Sequence, residues 1–355
     1  MFKPNLEYLE TAIENIRTKK LVFWGVGRKV RNFIKIFCLK KKILPLPQYI
    51  CDSTRDLTEK EILGIPVIEF EDLKKFDSTD TAIIITAGLM DLQVAVTPNE
   101  FYYFPVYHFR SFEVYDFLKK EEEKLNDVLS LFEDDQSRQV YEKIFKNILN
   151  GTFWDQSLYE PDAYFGNSLF NKFNDDDHFI LAGAFNGKHI VRALNNNNKI
   201  QVTGFEPNLE WYNYLTNKFA DNNNIEIINK VLWNSETELK FDGNEFNSGL
   251  DAHVLEDSSE EYDFKITSTT IDSLNRQKPS LIALDVEGSE LKALEGAKDS
   301  ILKDKPKLAI CLYHKLEDFI EIPLMINELT KLNPYKYYVK HHSCITAIET
   351  VLYAV

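Results

Sequence analysis

Three features that would each indicate a particular class of protein are missing from this sequence of 355 residues. The four cysteines include no Cys-x-x-Cys pair and no histidine at a metal-ligand spacing, which predicts buried, reduced thiols rather than a disulfide framework or a zinc centre. No apolar run approaches the ~18 residues of a membrane span, and the amino-terminal segment has no signal-peptide core, so we expect a cytoplasmic protein. Basic residues are in deficit: 41 Lys and Arg stand against 56 Asp and Glu, and the net charge of −15 disfavours nucleic acid as a partner.

Two stretches of the chain alternate short, β-rich apolar runs with helical patterns, which is typical of α/β domains built on a parallel sheet. The first stretch covers residues 20 to about 110, with LVFWGV, QYICD, IPVIEF, AIIITAG and FPVYHF as its strands. A charged helical segment follows and is closed by Asn150-Gly151, because glycine commonly ends helices. We therefore predict a smaller Rossmann-like α/β domain over residues 1–112, a helical connector over 113–160 and a second domain over 161–355.

The second stretch begins near residue 177 and ends in two strand-like runs with no helix between them. Helices connect the earlier strands, including one continuous helix predicted over GSELKALEGAKDSIL. The last two runs, YKYYVKHH and ETVLYAV, are joined only by SCITAI and should pair antiparallel. A mostly parallel sheet that is completed by an antiparallel last strand is the architecture of class I methyltransferases.

A glycine-bearing turn follows the first strand of this second domain. Ligands of open α/β sheets bind at the carboxyl ends of the strands, and the helix that begins near Lys188 offers unpaired N–H groups for the carboxylate of an amino-acid ligand. We predict that the turn contacts a cofactor through Gly183, Ala184, Phe185, Asn186 and Gly187.

The second strand ends in Glu206, followed by Pro207. An acidic side chain at this point can accept hydrogen bonds from both hydroxyls of a ribose. The alternative is an exposed glutamate before a proline turn, with no ligand.

The apolar run LIAL ends abruptly in Asp285 and Glu287. Alternate positions of an extended chain share a side, so both carboxylates should face one cleft. Paired acids at a buried strand end are costly unless they are used. Metal binding, general base catalysis and contact with a sulfonium cation are all open to them.

The next strand ends in Tyr313, His314 and Lys315, and the penultimate strand supplies His341 and His342. Their place at the carboxyl edge makes them candidates for catalysis or substrate binding. The alternative for each histidine is a packing or surface role.

The runs LIALDVEGSELKALEGA, KPKLAICLYHKLEDFIEIPLMINEL, YKYYVKHHS and ETVLYAV resemble the FkbM family of S-adenosylmethionine-dependent O-methyltransferases, and FILAGAFNGKHI, GFEPN and TTIDSL resemble its cofactor half. The resemblance covers residues from about 160 to 355 in the right order. It implies S-adenosyl-L-methionine as cofactor and transfer of a methyl group to a hydroxyl. The acceptor that it implies is a sugar or glycan precursor, including a nucleotide sugar, in capsule, lipopolysaccharide or natural-product biosynthesis.

Two positions depart from the family pattern. The family usually has Asp where this chain has Leu181, and it commonly has Lys where this chain has Ala283. The first departure should weaken cofactor binding without abolishing it, because the glycines, Glu206 and the backbone contacts remain. The second should alter substrate handling.

For catalysis we expect Asp285 or His314 to take the hydroxyl proton, with Glu287 orienting the substrate or its partner. Asp285 is also expected to contact the cofactor, and the substrate residues would be Tyr313, His314, Lys315, His341 and His342. No metal site is assigned: a divalent cation held by Asp285 and Glu287 would acidify a diol, but the sequence offers no clear third ligand.

The upstream turn, GVGRKV, has two glycines of a dinucleotide fingerprint but Val30 at the third position. Asp52 and Arg28 keep a nucleotide or phosphate site open, and the segment is similar to Rossmann-like domains attached to sugar-modifying enzymes, some of which hold nucleotide sugars. A packing or homodimer role is the alternative. For the whole chain, the competing hypotheses are a non-catalytic protein that binds nucleotide sugars or partner enzymes and, last, a nicotinamide oxidoreductase.

Overall fold

The computed structural model describes residues 14, 16–25, 28–40, 42, 44–52, 60–73, 75–86, 102–105, 114, 117–150, 156–161, 164–165, 168–170, 173–242, 253–255, 262, 264–274, 278–343 and 349–355. Among these residues, none of the helices combines the length and the apolar character that crossing a membrane requires. The chain divides into two compact units, one of Met1–Phe117 with Lys146–Thr152 and one of Leu118–Phe145 with Phe153–Val355.

The first unit contains a six-stranded sheet in the order β3-β4-β2-β1-β5-β6. Its strands are Lys20–Trp24 (β1), Tyr49–Asp52 (β2), Glu61–Ile62 (β3), Ile65–Glu69 (β4), Thr81–Ile85 (β5) and Tyr102–Pro105 (β6). All neighbours pair parallel except β3 and β4. Both faces are covered, since Leu21 and Phe23 belong to one buried cluster and Val22 and Trp24 to another. The predicted parallel sheet of this region is confirmed.

The helical segments of the first unit are short. They are Arg28–Phe33 (α1), which continues as a π-helical segment over Ile34–Lys40, and Phe70–Leu73 (α2). Val30 is fully buried and packs in the same cluster as Phe23. Residue 30 is therefore a core position of this unit.

The second unit contains a seven-stranded sheet in the order β16-β17-β15-β14-β7-β8-β9. Its strands are His178–Ala182 (β7), Gln201–Phe205 (β8), Ile225–Ile228 (β9), Leu281–Leu284 (β14), Lys307–Cys311 (β15), Tyr337–His341 (β16) and Thr350–Ala354 (β17). β17 lies antiparallel between β15 and β16, and all other neighbours are parallel. This is the predicted class I methyltransferase order with its antiparallel last strand.

A smaller sheet, in the order β10-β13-β11-β12, accompanies the large one. Its strands are Val231–Leu232 (β10), Glu238–Asp242 (β11), His253–Leu255 (β12) and Phe264–Thr269 (β13). The helices of the remaining chain are Glu122–Leu131 (α3), Asp135–Asn150 (α4), Lys188–Asn196 (α5), Leu209–Lys218 (α6), Glu290–Glu295 (α7), Lys298–Asp304 (α8) and Asp318–Leu329 (α9).

The single helix predicted over GSELKALEGAKDSIL is wrong, since α7 and α8 are separate helices that meet at Gly296 and Ala297. A Cβ at Gly296 would lie 2.1 Å from the carbonyl oxygen of Trp233. This close approach to a loop of the smaller sheet requires glycine, and the residue costs helix stability. The tertiary contact therefore explains why the helical pattern is interrupted.

The helical segment predicted as a connector contains α3 and α4. Tyr141 of α4 is buried, and its hydroxyl donates a hydrogen bond to the carbonyl of Phe319 at 2.8 Å. Its ring also packs against the rings of Phe145 and Phe319. The greater part of this segment, up to residue 145, is thus packed into the second unit.

The strand order brings four strand ends next to one another. β7, β8, β14 and β15 are consecutive neighbours and run parallel, so the residues that follow them emerge at one edge of the sheet. The strands themselves are buried at nearly every position, as in β14, where all four residues are buried. Polar side chains can therefore collect where these strands end.

Candidate active site

The glycine turn after β7 is shaped by residues with left-handed backbone angles. Gly183 has φ +78°, and a Cβ there would lie 1.9 Å from the carbonyl oxygen of Asp285. Phe185 also has a positive φ, of 43°, although it carries a side chain. Gly187 is the N-cap of α5, and the side chain of Asn186 accepts the backbone N–H of Lys188, the first residue of the helix, at 3.0 Å. The turn is thus held in one conformation against the loop that carries Asp285.

Glu206 stabilises this turn from the end of β8. It is only 6% exposed, and its two carboxylate oxygens accept hydrogen bonds from the backbone N–H of Phe185 at 2.7 Å and of Asn208 at 2.9 Å. Burial raises its pKa to about 7, although both hydrogen bonds act to lower it. A carboxylate can accept about four hydrogen bonds, so the oxygens retain capacity for ribose hydroxyls. The ribose contact stays a prediction, as do contacts through Ala184, Asn186 and Pro207.

Asp285 lies directly after β14 with its side chain 33% exposed. The hydroxyl of Tyr313 donates a hydrogen bond to Asp285 Oδ1 at 2.8 Å. Desolvation raises the pKa of Asp285, while the positive charge of His314 and the Tyr313 hydrogen bond act in the opposite direction. Burial, followed by the nearby Cys311 and Asp285, raises the pKa of Tyr313 far above its ordinary value. Tyr313 is therefore a neutral donor here, and Asp285 is the acceptor.

His314 lies among three carboxylates. Its Nδ1–H donates to Glu290 Oε1 at 2.8 Å, while Nε2 is 3.5 Å from Asp285 Oδ1 and 3.3 Å from Glu287 Oε2. Burial alone would lower the pKa of His314, but the hydrogen bond to Glu290 and the surrounding negative charges raise it to about 9. At neutral pH this imidazole is therefore protonated and carries a positive charge.

Glu290 is one of the site residues that the sequence did not predict, as are Arg192 and Glu349, which line a cavity beside Asp285. Glu290 is the first residue of α7, it is fully buried, and besides the contact with His314 its Oε1 accepts the backbone N–H of Val286 at 2.9 Å. The loop before it bends back through Glu287 and Gly288, whose φ values are 52° and 89°. The sequence Gly288-Ser289-Glu290 after Asp285 could have indicated this role. A glutamate in the first turn of a helix can reach back to the preceding loop.

Lys315 belongs to the same loop, and its backbone N–H donates to Asp318 Oδ2 at 3.1 Å. Asp318 is 3% exposed, and burial together with the charge of Glu290 raises its pKa to about 8. Tyr313, His314 and Lys315 are thus held beside α9, as their position after β15 predicts. A role of Lys315 in substrate binding stays a prediction.

A cavity of about 110 Å³ opens beside Asp285 and Tyr313, between the first turns of α5 and the end of the β16-β17 pair. Lys188 and Arg192 supply positive charge to its lining, and Glu349 supplies negative charge. His189 also lines it, and its buried Nδ1 has no hydrogen-bond partner in the described part of the chain. Burial, followed by the charges of Arg192 and Lys188, lowers the pKa of His189 to about 3. This cavity presents charges of both signs to a small ligand.

The histidines at the end of β16, His341 and the following His342, have different surroundings. His341 is 4% exposed and hydrogen-bonds through Nδ1 with Thr350 Oγ1 at 3.0 Å. His342 lines the cavity, donates from Nδ1 to the carbonyl of Glu160 and accepts from the Tyr353 hydroxyl at Nε2, each at 2.8 Å. Desolvation lowers the pKa of His342. The fold therefore brings His342, and not His341, into the lining beside Asp285.

Leu181 and Ala283, the two departures from the family pattern, are direct partners on the neighbouring strands β7 and β14. Each is 4% exposed, and both belong to the same buried hydrophobic cluster. A buried ion pair can be replaced by packed apolar side chains at little cost or with a gain in stability. The two departures therefore form one apolar contact in the core.

A larger cavity, of about 660 Å³, lies at the opposite edge of the sheet. Its lining includes His178 at the start of β7 and Lys278 before β14. None of the residues predicted for the site takes part in that lining. In the first unit, Gly27 and the side chain of Arg28 lie outside the described residues, and the nucleotide site proposed there stays a prediction.

The strand order, the glycine turn after the first strand and the acidic residues after the second and fourth strands match the class I methyltransferase fold. Residues 182–338 match the family described as Methyltransferase FkbM domain. This match confirms the sequence resemblance to the FkbM family over that part of the chain.

Solved structures agree on the fold. A crystal structure of methyltransferase FkbM from Methylobacillus flagellatus KT has 18% sequence identity and a TM-score of 0.66, covering 98% of this chain and 93% of that one. A putative rRNA methylase from Clostridium thermocellum has 11% identity and a TM-score of 0.31, covering 50% of this chain and 84% of that one. At 18% identity, the similarity to the FkbM structure shows the fold alone. The similarity to the rRNA methylase is too low to support a conclusion about this chain. No curated protein sequence matches the chain.

Proposed function

We propose that this protein is an S-adenosylmethionine-dependent O-methyltransferase that acts on a hydroxyl of a sugar or glycan precursor in the cytoplasm. The observation that carries the proposal is the convergence, at one sheet edge of an FkbM domain, of the glycine turn, Glu206 and Asp285. The sugar acceptor follows from the family resemblance and includes nucleotide sugars. Biosynthesis of a capsule, a lipopolysaccharide or a natural product is the proposed context.

The residues present fit this cofactor. An amino-acid group carries a carboxylate and an ammonium, and the cavity offers Lys188 and Arg192 for the first and Asp285 and Glu349 for the second. The first turn of α5 adds backbone N–H groups, and it contains no acidic residue that would repel a carboxylate. Glu206 would hold the ribose on the other side of the turn. We propose that the amino-acid end of S-adenosylmethionine occupies this cavity.

S-adenosylmethionine, when bound, supplies a methyl group activated by a positively charged sulfur. The chain has to align that methyl carbon with an acceptor hydroxyl. Such positioning can lower the activation free energy by ~7–11 kcal/mol. The turn at Gly183 abuts the backbone of Asp285, so it would fix the cofactor relative to the acid. Tyr313, Lys315 and His342 are the proposed contacts of the acceptor.

Asp285 is the proposed acceptor of the hydroxyl proton. With S-adenosylmethionine bound, the Asp285 carboxylate would take the proton of the acceptor hydroxyl as that oxygen received the methyl group, and the electrons of the carbon–sulfur bond would stay with sulfur. His314 is less suited to this step because it is protonated at neutral pH and has no free lone pair. It would instead hold the carboxylates in place, with Glu287 orienting the substrate. General base catalysis typically contributes ~10²–10⁴-fold.

The test is calorimetric titration of the full chain with S-adenosylmethionine and with its demethylated product. Micromolar binding of both, at one site per chain, is the expected result despite Leu181. Methyl transfer from the labelled cofactor to a panel of sugars and nucleotide sugars then tests the acceptor class. If neither compound binds, the proposal is wrong and a non-catalytic binding protein becomes the better hypothesis.

A further inference from the structure

We propose that Asp285, Glu290 and His314 bind a divalent metal cation of the first transition series. One donor atom from each residue lies within 4.8 Å of the other two. Donors at about 2.1 Å from a bound cation are at most about 4.2 Å apart, so small side-chain shifts bring all three onto one ion. The sequence offered only paired carboxylates here, and the fold adds the nitrogen ligand and a buried acid.

Two buried atoms of this cluster have no hydrogen-bond partner among the residues that the structure describes. They are Glu290 Oε2 and His314 Nε2. Glu290 is fully buried and the His314 side chain is 9% exposed, so water does not readily serve either group. Nε2 lies 3.5 Å from Asp285 Oδ1 and 3.3 Å from Glu287 Oε2, without a hydrogen bond to either. Buried polar atoms are almost always paired, and a cation would pair these.

The charge of the cluster also favours a cation. Asp285, Glu287, Glu290 and Asp318 are four carboxyl groups around one imidazole. A divalent cation would displace the proton from His314 and neutralise two carboxylates, as metal binding generally releases protons.

The donor set indicates which metals fit. Imidazole nitrogen suits zinc, iron and nickel, whereas carboxylate oxygen suits magnesium and manganese, so a mixed set of one nitrogen and two carboxylates favours Mn²⁺, Fe²⁺ or Zn²⁺ over Ca²⁺. Without an ion, Glu290 Oε1 accepts the Nδ1–H of His314 at 2.8 Å. Binding of an ion to Nε2 and to Glu290 would break this hydrogen bond, because one carboxylate cannot hold Nδ1–H and also reach an ion on the other nitrogen of the same ring.

The experiment is a titration of the chelator-treated full chain with Mn²⁺, in which electron paramagnetic resonance measures the free ion. One Mn²⁺ per chain with micromolar affinity is expected. Binding should weaken at least 10-fold in His314→Gln and in Asp285→Asn. His178→Gln is the matched control, because His178 lies at the opposite edge of the sheet and hydrogen-bonds with Thr203, and its affinity should equal that of the wild type.

Two results would overturn the proposal: no saturable binding up to millimolar Mn²⁺, or unchanged binding in both His314→Gln and Asp285→Asn, which would place the ion on a surface acidic run. Circular dichroism checks that each variant folds, and Asp285→Asn is the more tolerant test because its side chain is partly exposed. The proposal does not depend on methyl transfer. Cofactor binding measured on the same samples therefore distinguishes failure of the metal site from failure of the proposed enzyme.

Discussion

His314 and His342 lie at the same edge of the same sheet, and each follows a strand that runs in the same direction, yet they have opposite properties. His314 is surrounded by the carboxylates of Asp285, Glu287 and Glu290, and its pKa is raised to about 9. His342 contacts a carbonyl and a tyrosine hydroxyl, and burial lowers its pKa. One is a cation at neutral pH and the other is neutral.

This difference shows that two histidines at equivalent positions of the sheet can have different chemical roles. Both histidines satisfy the rule that functional residues of open α/β sheets follow the carboxyl ends of strands. Only His314 has partners that stabilise a charge, because α7 returns Glu290 to the loop. The strand that leads to His342 is instead paired along its length with β17, whose Tyr353 supplies a neutral partner.

The largest expected effect is on turnover. His314→Gln should lower kcat by about 10²-fold or more, because His314 holds in place the Asp285 carboxylate that is the proposed base, and general base catalysis typically contributes ~10²–10⁴-fold, while cofactor affinity stays within about twofold. His342→Gln is the matched variant and should lower kcat by less than about 10-fold. Transfer of a labelled methyl group to an acceptor found in the sugar panel measures both. Equal losses in the two variants would remove the functional distinction between these histidines.

The stability of the protein should depend on pH through His314. Its pKa is higher in the folded chain than the ordinary value of 6.5, so its stabilising contribution is complete below about pH 6.5 and is lost as the pH rises through about 9. The loss should be on the order of 1–3 kcal/mol. Urea denaturation of the wild type and of His314→Gln between pH 6 and 9.5 measures it. A wild-type pH dependence that matches the variant's would show that His314 does not carry this charge.

Glu206 extends the comparison to a third buried titratable group at this edge. Glu206→Ala should weaken S-adenosylmethionine binding by roughly 10-fold or more, since hydrogen bonds to a charged group are worth about 1.5–3 kcal/mol each. Because burial raises its pKa to about 7 and the ionised form is the better acceptor, wild-type affinity should rise by about 10-fold from pH 6 to pH 8. Calorimetry at both pH values, with exposed Glu210→Ala as the control, checks this. Unchanged affinity in Glu206→Ala would contradict the ribose placement.

The smallest expected effect is a shift in one titration. Glu290→Gln removes the charge nearest His314 but keeps an acceptor for Nδ1–H, so the pKa of His314 should fall by about one unit or more, while that of His342 stays unchanged. Nuclear magnetic resonance of the histidine ring protons follows both groups in one sample. A change in the pKa of His342 would instead mean that the substitution has disturbed the fold and not only the contact with His314.

The sequence alone determined the parts of this protein that depend on local pattern. Apolar runs of strand length and the two last strands without a helix between them predicted the parallel sheet and its antiparallel strand, and the strand ends predicted that Glu206, Asp285 and His314 would lie at one edge. The pattern could not predict the break at Gly296, which is caused by a contact with Trp233 from another element.

Only the tertiary structure decided which of the edge residues interact. Glu290 joined the site because a left-handed turn at Glu287 and Gly288 brings the start of α7 back to His314. Leu181 and Ala283 became one apolar contact because β7 and β14 are neighbours in register, although about a hundred residues separate them in the chain. Side-chain periodicity describes one element at a time, whereas burial, charge state and pairing depend on elements that are distant in sequence.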